Sequence, residues 1–452
     1  MEDQKERIVI VGANSAGISA ALAARKTDLK VEIILLSDER YWPYSRCGLP
    51  FVLSGEISSF KDLTLFPPSY YRMMRLDLRT GTVVKTIDPH NQRVHVESAT
   101  GDHDAIEYDA LILCTGASPA IPSILGVDKP GVFTLRSIDD GQRIGEGVAQ
   151  VDSAIVVGAG FIGLELAHAL MHRRVKTTVI ERSPNILPEW FDADMADIAQ
   201  TMVEAKGVNV VVGKEVEAIV GDERVTGVVA SGEEFQTEAV LMATGAKPRV
   251  ELARQSGVRL GETGAMMVNS RLETSIPGIY AAGDCTEGYS MLSGKSTLSQ
   301  LGTTAERQGK VAGINVAGGY ALFPGVLHSV VSSMFDFEIG ATGFTEAHAH
   351  QNGWVTTSGT ITSRTRAEYY PGGSDITIKV TAESELGRIV GGQIIGGEEV
   401  TQRVNMLSVA IQKQMCVSEL AKADTCYAPS VCSPWEPVVL AAENAATKLR
   451  RG

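Results

Sequence analysis

Ile8-Val9-Ile10-Val11-Gly12-Ala13-Asn14-Ser15-Ala16-Gly17-Ile18-Ser19-Ala20 reads as an apolar strand, a glycine turn and a helix of small residues. The pattern recurs at Ile155-Val156-Val157-Gly158-Ala159-Gly160-Phe161-Ile162-Gly163-Leu164-Glu165-Leu166-Ala167. A second apolar strand follows each copy, at Val31 to Leu36 and at Lys176 to Ile180. Strand, crossover helix and strand make a βαβ unit. Its repetition predicts an α/β fold with two doubly wound dinucleotide-binding domains.

A turn that cradles a dinucleotide needs glycine where the backbone bends, where it meets the pyrophosphate, and where helix packs on strand. Gly158, Gly160 and Gly163 fill all three places, and Glu165 follows on the helix. Gly12 and Gly17 fill two of them in the first copy, where Asn14 holds the middle position beside Ser15 and Ala16. Asp38 and Glu39, just past the second strand, are placed to accept hydrogen bonds from an adenosine ribose. A solvated acidic turn is the plainer alternative for either acid. Glu181 ends the matching strand 23 residues after Gly158. A carboxylate there favours the free 2′-hydroxyl of NADH over the 2′-phosphate of NADPH, although Arg182 next door works the other way.

Two further apolar strands end in Thr-Gly. One runs from Tyr108 through Cys114 and Thr115 to Gly116, the other from Ala239 through Thr244 to Gly245. Read as crossings between domains, they make the second nucleotide domain an insertion in the first. The expected division is 1–116 with 245–324 for the first domain and 117–244 for the second. Ile279-Tyr280-Ala281-Ala282-Gly283-Asp284 returns to the first. From about Gly325 the pattern changes to alternating stretches, Asp375 to Val380 and Arg388 to Gly396, then a helical one from Arg403 to Lys413. These predict an α+β domain over 325–452.

At 452 residues the chain is long for one core, and two to three domains are expected. A net charge of −13 argues against nucleic-acid binding, because no basic field is present to neutralise phosphates. No stretch approaches the ~20 apolar residues of a membrane span. Met1 to Arg7 is charged where a secretory signal would be apolar, so a soluble cytoplasmic protein is expected. The six cysteines, Cys47, Cys114, Cys285, Cys416, Cys426 and Cys432, match no zinc ribbon, and no metal site is expected. In a reducing compartment structural disulfides are not expected either. Cys114 and Cys285 lie in short apolar stretches and read as buried, inert thiols.

Cys47 differs. It stands alone in Tyr44-Ser45-Arg46-Cys47-Gly48-Leu49-Pro50, with no second cysteine near enough for a local disulfide. A single redox sulfur works through a mixed disulfide, a persulfide or a sulfenic acid. A guanidinium at Arg46 would lower the thiol pKa and hold more thiolate. With Ser45 it is also placed to bind a carboxylate, sulfonate or phosphate of a substrate; an arginine turned to solvent is the plainer alternative.

Together the glycine turns, the Thr-Gly strands, Gly283-Asp284 and the lone Cys47 resemble the FAD-dependent pyridine nucleotide–disulfide oxidoreductases over essentially the full chain. Within them the resemblance is to the single-cysteine branch of coenzyme A-disulfide reductases, polysulfide or persulfide reductases, and NADH oxidases and peroxidases. It implies FAD on the first turn, with Asp284 toward its ribityl and phosphate part, and NADH or NADPH on the second. It places Cys47 against the flavin ring. It also implies a homodimer joined through 325–452, each active site completed by the partner chain. Tyr369-Tyr370-Pro371-Gly372 and Tyr427-Ala428-Pro429 resemble segments whose tyrosines reach across the dimer and assist a departing thiolate. Tyr427 matches that role, with Tyr369 or Tyr370 as its companion; a packed turn is the plainer reading of either segment alone.

Departures from the family pattern carry information as well. Ser15 stands where oxidase and peroxidase relatives carry a histidine, which counts against a dedicated peroxidase. Ser37 occupies the usual place of the ribose-binding acid, so Asp38 is expected to substitute. Arg46 replaces a common asparagine and leaves coenzyme A itself open as substrate. No histidine follows His350, so the His-Pro pair of two-cysteine reductases is missing, and no rhodanese-like domain is expected after Gly452. Cys426 and Cys432 flank Tyr427, which makes a thiol relay from Cys47 in trans conceivable.

The expected function is transfer of electrons from NAD(P)H through FAD to Cys47 and on to a small disulfide, persulfide or polysulfide. NADH oxidase, with oxygen as acceptor, is the alternative enzyme. A flavin redox carrier or sensor acting on a protein partner is the alternative of another class.

Overall fold

A computed structural model describes residues 6–451. Residues 1–5, which hold most of the charged start, and residue 452 lie outside the described residues. The first glycine turn sits on a five-stranded parallel sheet ordered Ile279–Ala281, Ala110–Leu113, Arg7–Val11, Glu32–Leu36 and Leu76–Arg79. Its central strands are continuous apolar runs because both faces are covered: Val9, Ile10, Leu35, Leu111 and Ile112 are fully buried. Val31 precedes the second strand rather than opening it.

The second sheet repeats the order with Val132–Thr134, Ala239–Met242, Ser153–Val157, Lys176–Ile180 and Asn209–Val211, again all parallel. In it the outermost strand beyond the Thr-Gly strand comes from the chain before the glycine turn. In the first sheet that strand comes from far downstream. Between the two sheets the chain crosses twice, and the crossings pair as a short antiparallel ribbon, Ala117–Pro119 with Ala246–Pro248. Each sheet has a three-stranded antiparallel companion, over Thr82–Glu107 and Val216–Gln236.

The C-terminal part is a five-stranded antiparallel sheet ordered Val330–Met334, Phe337–Gly343, Ile389–Gly396, Asp375–Glu383 and Thr356–Arg364. Helices Val400–Gln412 and Pro437–Leu449 cover it through Val404, Leu407, Val438 and Ala442. The first of these begins three residues before the expected Arg403. Among the described residues no helix is long and apolar enough to cross a membrane.

One helix contact positions the site. Helices Ser15–Thr27 and Gly302–Val316 pack so tightly that a Cβ at Gly309 or Gly313 would collide with the backbone of Ala16 or Ala20. The register ascends in both helices, so they run parallel. Both N-termini open at the same edge of the first sheet, where backbone N–H groups are unpaired and favour negative charge.

Candidate active site

That edge borders a cleft of about 1140 Å³. Of the residues singled out from the sequence, Gly12, Asn14, Ser15 and Ala16 line it, with Asp38, Glu39, Ser45, Arg46 and Cys47. Cys114, Thr115, Gly116, Gly283 and Asp284 complete that group. Gly17 lies behind the surface: a Cβ there would strike the carbonyl of Gly12, so its role is close helix–strand approach. Gly12 has φ +102° and faces the Cys114 carbonyl, leaving no room for a side chain. Three polar atoms in this cleft are buried without a hydrogen-bond partner: Asn14 Oδ1, Arg136 Nε and Gln300 Nε2. Orphaned polar groups beside a glycine cradle and two helix N-termini fit a bound phosphate-bearing molecule such as FAD.

The two candidate ribose acids already have protein partners. Asp38 pairs with Arg249 at 3.0 Å. Glu39 accepts the Tyr44 hydroxyl at 2.7 Å and also pairs with Arg46. A carboxylate has lone pairs to spare, so both can still accept a ribose hydroxyl.

The Arg46–Glu39 pair corrects the expectation that Arg46 lowers the Cys47 pKa. One arm of the Arg46 guanidinium meets Glu39 and the other donates to the Arg136 carbonyl at 2.6 Å. Its charge is thereby neutralised away from the sulfur. The Cys47 thiol opens to solvent in the cleft, but protein packs around the rest of the residue. Burial raises its pKa first, then the carboxylates of Glu165 and Asp284; Arg136 and a backbone N–H act in the opposite sense. The cation that reaches this thiol is therefore Arg136, which also pairs with Asp284 at 2.8 Å.

Sequence reading passed over Arg136, Gln300 and Gly302. A Cβ on Gly302, the first residue of its helix, would lie 3.8 Å from Cys47 Sγ. The helix N-terminus thus stands directly beside the sulfur, a setting that favours thiolate. A local signal existed near Arg136, because Ser137 and Asp140 form the capping box of the next helix. The pairing of Arg136 with a residue 148 positions away had no such signal. Burial, with Cys285 close by, pushes the Cys114 thiol up, as suits an inert sulfur.

The second glycine turn lies apart from this cleft. Gly158 has φ +104°, and a Cβ at Gly163 would strike the Gly158 carbonyl. Gly160 faces open space, where a pyrophosphate needs close approach. Buried Glu181 accepts the N–H groups of Ala159 and Ser183, both at 2.8 Å, and so braces the turn. Gly245 sits at the crossing ribbon, where its carbonyl accepts the N–H of Ala120. Glu165 faces inward, accepting the Ser332 hydroxyl at 2.6 Å, and burial raises its pKa. Through Ser332 it ties the helix of the second turn to the C-terminal sheet.

Tyr369, Tyr370 and Tyr427 are exposed on the C-terminal part and do not line their own chain's cleft. Tyr369 and Tyr427 share a hydrogen bond between hydroxyls at 2.8 Å.

Glu56, His168 and His172 come close enough together to hold a metal ion, a grouping that the sequence reading did not single out. His168 Nδ1 accepts the N–H of Phe335 at 2.9 Å, so Nε2 carries the ring proton and donates it to Glu56 at 2.7 Å. Both ring nitrogens are engaged. The group ties the segment after Cys47 to the second nucleotide-binding part and the C-terminal sheet.

The sequence pattern of the pyridine nucleotide-disulphide oxidoreductases matches residues 6–309, and that of their dimerisation domain matches 331–436. A protein of Methanocaldococcus jannaschii named NADH oxidase is 42% identical, covering 98% of this chain and 99% of its own. The NAD(P)H coenzyme A polysulfide/persulfide reductase of Pyrococcus horikoshii is 33% identical, covering 98% of each chain. Among solved structures, an NAD-dependent persulfide reductase from A. fulgidus superimposes with a TM-score of 0.95 at 35% identity, over 98% of this chain and 84% of that one.

Proposed function

Since the chain belongs to the pyridine nucleotide-disulphide oxidoreductase family, we propose that it carries electrons from NADH, through FAD, to Cys47 and on to a small disulfide, persulfide or polysulfide. The observation that carries this reading is the place of the Cys47 thiol. It opens into the cleft formed by the first glycine turn, at the N-terminus of helix Gly302–Val316.

The first turn, with Gly12, Asn14, Asp38 and Asp284, holds FAD; the second, with Gly158, Gly160, Gly163 and Glu181, holds the nicotinamide nucleotide. When bound, FAD supplies the two-electron link between nicotinamide and sulfur. Cys47 thiolate attacks one sulfur of the acceptor RS–SR, forming Cys47–S–S–R and releasing RS⁻. Two electrons then return Cys47 to thiolate and release the second RS⁻. Arg136 and the helix N-terminus support negative charge on the sulfur.

The exposed Tyr369–Tyr427 pair does not line the cleft of its own chain. It supports a homodimer in which the partner's Tyr427 protonates the leaving thiolate. We assign 1–116 with 245–324 to the FAD-binding domain, 117–244 to the NAD(P)-binding domain and 325–452 to dimerisation; the paired crossings at Ala117–Pro119 and Ala246–Pro248 support that division. Six free cysteines suit a reducing compartment such as the cytoplasm.

The second reading, NADH oxidase, draws on the name of the M. jannaschii relative. Anaerobic NADH consumption with coenzyme A disulfide, and with polysulfide, separates the two. Rates well above the oxygen-driven one, lost in Cys47→Ser while NADH still reduces the flavin, are expected. Acceptor rates no better than with oxygen alone sink the reductase reading.

A further inference from the structure

We propose that Cys426 and Cys432 close a reversible disulfide within the Tyr427 loop, formed by the same class of small disulfide that Cys47 reduces. The identity of the oxidant rests on the function proposed above. The geometry does not.

Both thiols are free, Cys426 exposed and Cys432 partly so. Cys432 Sγ accepts the Ala428 N–H at 3.2 Å and donates to the carbonyl of Cys426 at 3.4 Å. The sulfur of one cysteine therefore already rests on the backbone of the other. The intervening chain is folded back to allow this, with the N–H groups of Val431 and Cys432 both donating to the Ala428 carbonyl. Little loop-closure entropy remains to be lost, and closure needs rotation of the Cys426 side chain together with a local shift of the Cys426–Tyr427 backbone. The other thiols differ in setting: Cys114 and Cys285 are enclosed, and Cys416 is tied to the Leu386 carbonyl.

The chemistry balances without a further reagent. Cys432 thiolate attacks RS–SR, forming Cys432–S–S–R and expelling RS⁻. Cys426 thiol then attacks the Cys432 sulfur, forming the protein disulfide and expelling the second RS⁻. The two thiol protons pass to the two RS⁻ groups. Two protein thiols are oxidised, and one RS–SR is reduced to two RSH.

The consequence falls on Tyr427, which neighbours Cys426 and is bonded to Tyr369. Drawing Cys426 onto Cys432 turns Tyr427 away from Tyr369, so turnover falls when disulfide outruns the NADH supply. A thiol reductant restores it.

Both cysteines lie on one tryptic peptide, Ala423 to Lys448, which makes the test direct. The Cys47→Ser dimer with its flavin is exposed anaerobically to coenzyme A disulfide without NADH, then alkylated and digested. The expected peptide is two hydrogens lighter and unalkylated. Dithiothreitol converts it to the doubly alkylated form, and adding Cys432→Ser prevents it. A doubly alkylated peptide after exposure overturns the proposal.

A second arm compares turnover of pre-oxidised wild type with the Cys426→Ser/Cys432→Ser variant. Several-fold loss in the wild type alone, reversed by dithiothreitol, is expected; equal turnover overturns the control of Tyr427. The cross-link is read without turnover, so its failure is distinct from failure of the reductase reading.

Discussion

Replacing Glu165 by glutamine should make Cys47 more reactive at neutral pH, and replacing Arg136 by glutamine should make it less so. The thiol pKa is raised first by burial, then by Glu165 and Asp284, against Arg136. Glu165→Gln keeps an oxygen for the Ser332 hydroxyl and deletes one negative charge. Deleting the Glu165 carboxylate therefore moves the Cys47 pKa downward and gives more thiolate at neutral pH. Nucleophilicity falls with pKa at a Brønsted slope of about 0.4–0.5, so about half of that logarithmic gain survives, a net rise in rate of roughly threefold.

The assay is the rate of alkylation by iodoacetamide across pH, read on the tryptic peptide Cys47 to Lys61, which contains no other cysteine. Burial also raises the Glu165 pKa. As pH falls through that raised value, wild-type Glu165 takes up a proton, and the two proteins should converge. Arg136→Gln should move the limb the opposite way, because it removes the favourable cation and leaves Asp284 unpaired. Curves that shift in the same direction, or a Glu165→Gln gain that persists undiminished at acid pH, would refute the assignment of these charges to Cys47.

Glu181→Ala should weaken NADH binding by roughly tenfold, about 1.4 kcal/mol, and raise the NADPH-to-NADH ratio of kcat/KM. It removes both the bracing of Ala159 and Ser183 and the carboxylate that repels a 2′-phosphate; steady-state kinetics with each nucleotide checks it. Lys379→Met should cost about 3 kcal/mol, the low end for breaking a buried pair, read from the guanidinium chloride midpoint. Lys379 Nζ lies 2.8 Å from Asp194, 3.2 Å from Asp192 and 3.6 Å from Glu346, but Asp194 is largely exposed. Burial lowers the Lys379 pKa, while Asp194, Asp192 and Glu346 outweigh it and hold the net value up. The wild-type advantage should therefore be full below the unfolded lysine value and disappear as pH rises through the higher folded one.

What the sequence made legible was whatever the backbone demands of a residue type. Gly12 and Gly158 sit at positive φ, and Gly17 and Gly163 at contacts too close for a side chain, so their spacing announced the turns. Apolar runs such as Ile8 to Val11 announced strands covered on both faces. Charge pairing is decided differently. Arg46 meets Glu39 only seven residues away, yet its direction depends on Tyr44, whose hydroxyl links Glu39 to the N-terminus of the helix at Ile138. Arg136 and Asp284 meet through the packing of two separate sheets. No periodicity encodes such encounters.

The thiol site lies between these cases. Cys47 gains its helix N-terminus because Gly302–Val316 runs alongside Ser15–Thr27, and that approach depends on Gly309 and Gly313 meeting Ala16 and Ala20. Residues four apart share a helix face. Gly309-x-x-x-Gly313 and Ala16-x-x-x-Ala20 are thus complementary narrow stripes, both present in the chain. Any side chain at Gly309, alanine included, would push the later helix outward and carry Gly302 away from Cys47 Sγ. The reactivity of the sulfur therefore rests on two glycines that never touch it.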